Sequence, residues 1–162
     1  MPDKTQLPSS IQSQDQATAA FAQLIEDSTT ALNIVSQRLN PALFNELNLM
    51  ESLRQKILDR RRLLVRVLVR EPRLAVVNAP RLLALARRLG SNFELRSAHR
   101  DTSLTASIII CDKQSMIYRP SFERWDGQLI SADPVRIKNF LEAFVGAWDN
   151  AAESPEFRDM RI

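Results

Sequence analysis

The stretch TASIIICDKQSMIYRP, residues 105–120, constrains the fold more than any other part of the chain. Three isoleucines run into Cys111 and Asp112, Lys113-Gln114-Ser115 break the run, and Met116-Ile117-Tyr118 resume it. Two short β-prone runs around a polar break predict a buried strand, a tight turn and a return strand. Asp112 falls at the turn, where its side chain is expected to order Lys113-Gln114 by bonding nearby backbone.

The pattern on either side alternates between helix and strand. Ala19 to Asp27 carries Phe21, Leu24 and Ile25 on one helical side, and Ala31 to Val35 reads as a short strand. Asn40-Pro41 is a helix-start signal. Asn48 with Glu51 three residues on suggests a capping box that opens a second helix, running to about Arg61. Leu63 to Arg70 sets Leu63, Val65, Val67 and Val69 on one strand face against Arg66 and Arg70, and Pro72 ends it. Pro80 starts the helix RLLALARRL, which Gly90 closes, and Asn92 to Ser97 alternates as a half-buried strand. After the loop SFERWDGQ, Asp133-Pro134 caps a helix with Ile137, Phe140, Leu141, Phe144, Val145 and Trp148 on one stripe.

Strands separated by helices argue for parallel pairing, and the Ser107–Tyr118 hairpin adds an antiparallel pair. The expectation is one α/β domain over residues 17–151: a mixed, mostly parallel sheet with helices on both faces. Polar tails are expected at 1–16 and 152–162. Apolar runs are only a few residues long, against about 20 for a membrane helix, so the chain reads as cytoplasmic.

Charge is distributed unevenly. Between Leu53 and Arg100 stand thirteen Lys and Arg against three acids, although the whole chain carries only +3. Only Lys4, Lys56, Lys113 and Lys138 are lysines. Arginine suits bidentate recognition of phosphate or carboxylate, although solvated helix faces would account for the same composition.

Several chemistries are excluded. Gly90, Gly127 and Gly146 are the only glycines and stand apart, so no phosphate-cradling loop or dinucleotide fingerprint exists. The pyrophosphate loop of GNAT-type acetyltransferases is missing as well. One cysteine and one histidine leave no internal disulfide and no ordinary zinc site, and no cofactor is expected. His99-Arg100-Asp101 spells the kinase catalytic tripeptide without its accompanying motifs. Cys111, at the end of an isoleucine strand, reads as a small buried hydrophobe. Trp125 reads as a lid over the sheet edge or as a partner anchor.

The arrangement from Thr29 to Trp148 resembles one half of a phospholipase D-like fold. That family carries H-x-K-x4-D on a strand, then a turn and a second strand ending in a Gly-Ser phosphate contact. Aligned on Asp112, the pattern places Thr105 at the histidine and Ser107 at the lysine, with Arg119-Pro120 near the Gly-Ser position. The resemblance thus implies a degenerate motif, without the nucleophile and oxyanion ligand that phosphodiester cleavage requires. The chain also resembles an uncharacterised bacterial domain found alone or fused C-terminal to GNAT-type acetyltransferases. NPALFNE, LLVRVLVREP, RLLALARRLGSNFELR and CDKQSMIYRPSFERWDG carry that likeness.

Three functional readings follow. The first is a non-catalytic binding or regulatory module that forms a homodimer or docks on a partner such as an acetyltransferase. Its former active-site cleft would hold an anion through Arg96, His99, Arg100, Tyr118 and Arg119. The second is a nucleic-acid-binding protein using Arg60, Arg61, Arg62, Arg87 and Arg88 within the basic segment 53–100. An enzyme pairing His99 with Asp101 or Asp112 ranks last.

Overall fold

A computed structural model describes residues 9–158. Its centre is a seven-stranded sheet in the order β1-β7-β6-β5-β2-β3-β4. The strands are β1 (Ser9–Ile11), β2 (Ala31–Ser36), β3 (Leu64–Val69), β4 (Phe93–Ser97), β5 (Ser107–Cys111), β6 (Ser115–Arg119) and β7 (Gly127–Ser131). The helices are α1 (Gln14–Asp27), α2 (Pro41–Phe44), α3 (Leu47–Asp59), α4 (Pro72–Asn78), α5 (Pro80–Arg88), α6 (Pro134–Asp149) and α7 (Pro155–Arg158).

The sheet is mixed, as expected, but its balance differs from the expectation. Only β2·β3 and β3·β4 are parallel, and the other four pairings are antiparallel. Helical crossovers join the parallel strands β2 to β4, hairpin-type returns join β5 to β6 and β6 to β7, and the pairs β2·β5 and β1·β7 bring together strands far apart in the chain. β5 lies between β2 and β6 and is buried at all five positions, which explains its unbroken isoleucine run.

Helices cover both faces. On one, Phe21, Leu24 and Ile25 of α1, Leu53 and Ile57 of α3 and Leu82 of α5 meet Ile34, Val65, Val67 and Ile109. On the other, Ile137, Phe144 and Trp148 of α6 meet Val35, Leu68, Ile108, Ile110 and Met116. Each such side chain contributes about 1.5–3 kcal/mol relative to exposure. The stripe expected on α6 is narrower than expected: Phe140 and Leu141 are half-buried, and Val145 faces solvent.

Local caps set the helix starts. The Gln16 amide donates to Ser13 Oγ (3.2 Å), and Gln16 Oε1 reaches back to the Gln12 amide (2.7 Å). Asn40 caps α2 as expected, its Oδ1 accepting from the Ala42 amide at 3.0 Å. α3 starts two residues earlier than expected, because Glu46 rather than Asn48 accepts the capping bond, from Leu49 N at 2.7 Å. Glu51 pairs instead with Arg54 at 2.6 Å. Pro72 ends β3 and also opens α4, a helix the sequence pattern did not reveal.

The tails need correction where they are described. Ser9–Ile11 pairs antiparallel with β7, and α1 begins at Gln14, so residues 9–16 belong to the fold. Ala152 bridges Ser97, and Phe157 joins the larger core, so the described part of 152–162 is packed. The remaining residues of both expected tails lie outside the described range. No helix among the described residues is long and apolar enough to cross a membrane.

β7 emerges from the SFERWDGQ segment through a close crossing. A Cβ added at Gly127 would overlap the Tyr118 carbonyl oxygen and lie 2.7 Å from Arg119 Cγ. Because a backbone atom cannot give way cheaply, Gly127→Ala should lower unfolding stability by about 2–4 kcal/mol. Urea denaturation measures this directly, and a variant within 0.5 kcal/mol (about the noise level of a surface change) would show that β7 does not approach β6 so closely.

Candidate functional site

The parallel strands β2, β3 and β4 all finish at one end of the sheet, where open α/β folds place their ligands. β5 begins and β6 ends there, with Ser107 paired to Arg119. Thr105 lies exposed in the loop before β5, whereas Ser107 and Arg119 point into the larger core and are buried.

Arg119 fastens the loop that follows it. Its Nη2 donates to the carbonyls of Phe122 (3.2 Å) and Arg124 (2.7 Å), and its guanidinium lies 4.4 Å from the Trp125 ring centre. Arg38 holds the same loop from the other side, 2.7 Å from Glu123 Oε1 and 4.8 Å from the Phe122 ring. Trp125 therefore packs against the core under this loop and serves as a lid. Burial lowers the Arg119 pKa, but a guanidinium still keeps its proton at any ordinary pH. What remains beside Ser107 and Arg119 is a cavity of about 10 Å³.

The five residues proposed from sequence to share an anion are not brought together. Tyr118 lies on the opposite sheet face from Arg119, its ring tilted 45° against Phe140 with centroids 5.2 Å apart. Arg96 is on that opposite face too, its Nη1 donating to the Trp148 carbonyl at 3.0 Å and its guanidinium 4.6 Å from the indole. Arg100 is exposed. His99 lines an open cleft of about 590 Å³ with Asp101, Thr102, Leu104 and Gly146, and its Nδ1 accepts from the Asp101 amide at 3.1 Å. An acid beside the histidine makes this a poor place for an anion.

Asp112 does something other than order its own turn. Its Oδ1 accepts from Thr30 N, Thr30 Oγ1 and Ala31 N, each at 2.9 Å, and its Oδ2 accepts from Thr29 N at 3.1 Å and Thr29 Oγ1 at 3.0 Å. The Asp112 amide in turn donates to the Ala31 carbonyl at 2.8 Å. A left-handed backbone (φ 51°), tolerable for Asp, aims the carboxylate across at the start of β2. Burial alone would raise its pKa, but the bonds from Ala31, Thr30 and Thr29 together bring it below the ordinary value. Asp112 is therefore a structural clamp between β5 and β2, at the end away from Ser107. Neighbouring Cys111 is fully buried, and loss of solvent first, then the Asp112 charge, push its thiol up to about 12. It is inert as a nucleophile at neutral pH.

That same far end gathers the arginines. Arg60, Arg61 and Arg62 form the turn before β3, while Arg87 and Arg88 end α5. Asn92 joins the two segments by donating through Nδ2 to the carbonyls of Arg61 (2.9 Å) and Leu63 (2.8 Å). All five are exposed, and none pairs with an acid among the described residues. Five exposed guanidinia without an acid partner among the described residues thus stand at one end of the sheet.

The fold is the phospholipase D-like one. Nuc, a phospholipase D family member from Salmonella typhimurium, superposes with a TM-score of 0.65 at 14% identity, over 91% of this chain and 99% of Nuc. Phosphatidylserine synthase from Haemophilus influenzae gives 0.63 at 11% identity, over 95% of this chain and 41% of its own. TrmBL2, described as an archaeal chromatin protein with a novel mode of DNA binding, gives 0.67 at 15% identity. The match covers 95% of this chain but only 56% of TrmBL2. Within that fold, the chain belongs to the family described as Domain of unknown function (DUF7931), which it matches over residues 13–160. No curated protein matches the sequence.

Asn92, Arg38 and Ser36 were not singled out from sequence. An Asn before a strand and an Arg after one carry no local signal of their long-range partners.

Proposed function

We propose that this chain is a non-catalytic phospholipase D-like module that binds nucleic acid by its phosphate backbone, through Arg60, Arg61, Arg62, Arg87 and Arg88. The reading is carried by two exposed arginine clusters at one end of the sheet that have no acid partner among the described residues, with Asn92 tying the Arg60–Arg62 turn to the segment that follows α5. The likeness to TrmBL2, whose own description includes DNA binding, is consistent with this use of the fold. The absence of catalysis is supported by Thr105 and Ser107 at the positions aligned with the family's histidine and lysine, and by the loop fastened over Arg119. No aromatic platform accompanies the five arginines, so the expected contact is with phosphates rather than stacked bases.

Fluorescence anisotropy with a labelled DNA duplex and a labelled RNA tests the binding at low salt. Micromolar or tighter binding to several unrelated sequences is the expected result, and none at all removes the reading. A chromogenic phosphodiester incubated with the protein should show no hydrolysis above buffer; turnover abolished by Thr105→Ala would overturn the non-catalytic half.

A second reading, a protein-docking module that forms a homodimer or meets a partner such as a GNAT-type acetyltransferase, is favoured by the apolar surface of α4. Leu74 and Val77 are 41% and 72% exposed there. Light scattering over a concentration series separates a dimer from a monomer.

A further inference from the structure

The open cleft of about 590 Å³ between the loop after β4 and α6 has the volume of a small-molecule site. His99, Asp101, Ser103 and Asn150 give it polar groups, and Leu104 and Ala143 give it apolar surface. His99 Nδ1 accepts from the Asp101 amide at 3.1 Å, which leaves Nε2–H as the donor of the neutral ring. The Asp101 carboxylate stands 3.9 Å from that same nitrogen, outside hydrogen-bond distance, so both its oxygens are available as acceptors. Ser103 and Asn150 add a hydroxyl and an amide, each able to donate and to accept.

Gly146 lines the same cleft, and the fold does not account for it. Glycine within a helix is destabilising relative to alanine. Gly146 lies within α6, its φ is not positive, and a Cβ built on it would meet no atom within 4 Å. Neither the backbone nor packing inside the chain therefore calls for glycine here, and the missing side chain leaves room in the cleft.

The lining narrows the ligand. Asp101 is its only carboxylate, and no lysine or arginine lines the cleft, which disfavours an anion. A simple cation would answer Asp101 and leave the imidazole and amide donors without an acceptor. A hydroxyl both donates and accepts, and two adjacent hydroxyls match the two oxygens of a carboxylate. We propose that this cleft binds a neutral sugar, with a pair of its hydroxyls on Asp101 and its ring over Gly146. The site lies at the carboxyl end of β4, away from the arginine face, and stands independently of nucleic-acid binding.

Titration of the isotope-labelled protein with ribose and with glucose, followed by backbone amide chemical shifts, tests this. At least one of the two sugars should give saturable shifts confined to the loop after β4 and the last turns of α6, with a dissociation constant on the order of millimolar. Gly146→Leu, which fills the cleft, should melt no lower than the wild type and lose those shifts. Asp101→Asn should weaken binding by about tenfold, because a charged acceptor is lost. Shifts that grow linearly and spread over the whole surface are general solvent exclusion and would overturn the proposal. So would saturation by putrescine or acetate in place of both sugars, or sugar binding untouched by Asp101→Asn or by Gly146→Leu. A Gly146→Leu variant that melts well below the wild type would show that the glycine serves packing, and the proposal would fall with it.

Discussion

Asp112→Ala should lower unfolding stability by about 3 kcal/mol, because five donors at Thr29, Thr30 and Ala31 lose a charged acceptor at once. The left-handed backbone adds to the penalty, since alanine tolerates it less well than aspartate. Asp112→Asn keeps the shape and one acceptor oxygen, so about half that loss is expected. The effect also has a pH signature. With its folded pKa depressed, Asp112 contributes fully above the unfolded carboxylate value of about 3.9, and the contribution fades as pH falls through the lower folded value. Urea melts of wild type and Asp112→Ala should therefore differ most near neutrality and converge in acid. A constant difference down to low pH would mean that the carboxylate is not the acceptor described.

Neutralising the arginine face should strongly weaken nucleic-acid binding without unfolding the protein. Arg60, Arg61, Arg62, Arg87 and Arg88 are exposed and pair with no acid among the described residues, so changing all five to glutamine should shift stability by less than about 0.5 kcal/mol. Affinity should fall on the order of a hundredfold at low salt, since each lost phosphate contact releases fewer counterions. Arg100 and Arg124 provide the control at the other end of the sheet. Both are exposed, and their replacement by glutamine should leave binding within about threefold if the face is correctly placed. Asn92→Ala probes the clamp itself. It leaves the Arg61 and Leu63 carbonyls unbonded by that side chain and should weaken binding while every arginine remains.

Much of the fold was legible because the strong signals are local. The isoleucine run of β5, the Val65-Val67-Val69 face of β3 and the Asp133-Pro134 start of α6 each follow from the few residues involved. The proportion of antiparallel pairing was not legible, because β1 and β7 are short, partly polar strands whose pairing depends on Gly127 and on neighbours far along the chain. α4 was hidden by Pro72, which equally ends a strand and starts a helix. The site was harder still. Alternation along β6 dictates that Tyr118 and Arg119 face opposite ways, so a common anion site for both was excluded by the strand itself. Asp112 was read as ordering its own turn, whereas its partners lie over eighty residues away, beyond any spacing argument.

Contact between the arginine face and phosphates is measured directly by the salt dependence of binding to duplex DNA. With five arginines engaged, log Kobs against log salt should have a slope of about −4.5 for the wild type, shallower by about 2.7 when Arg60, Arg61 and Arg62 become glutamine. Binding that is absent, or a slope unchanged by those three substitutions, would contradict it.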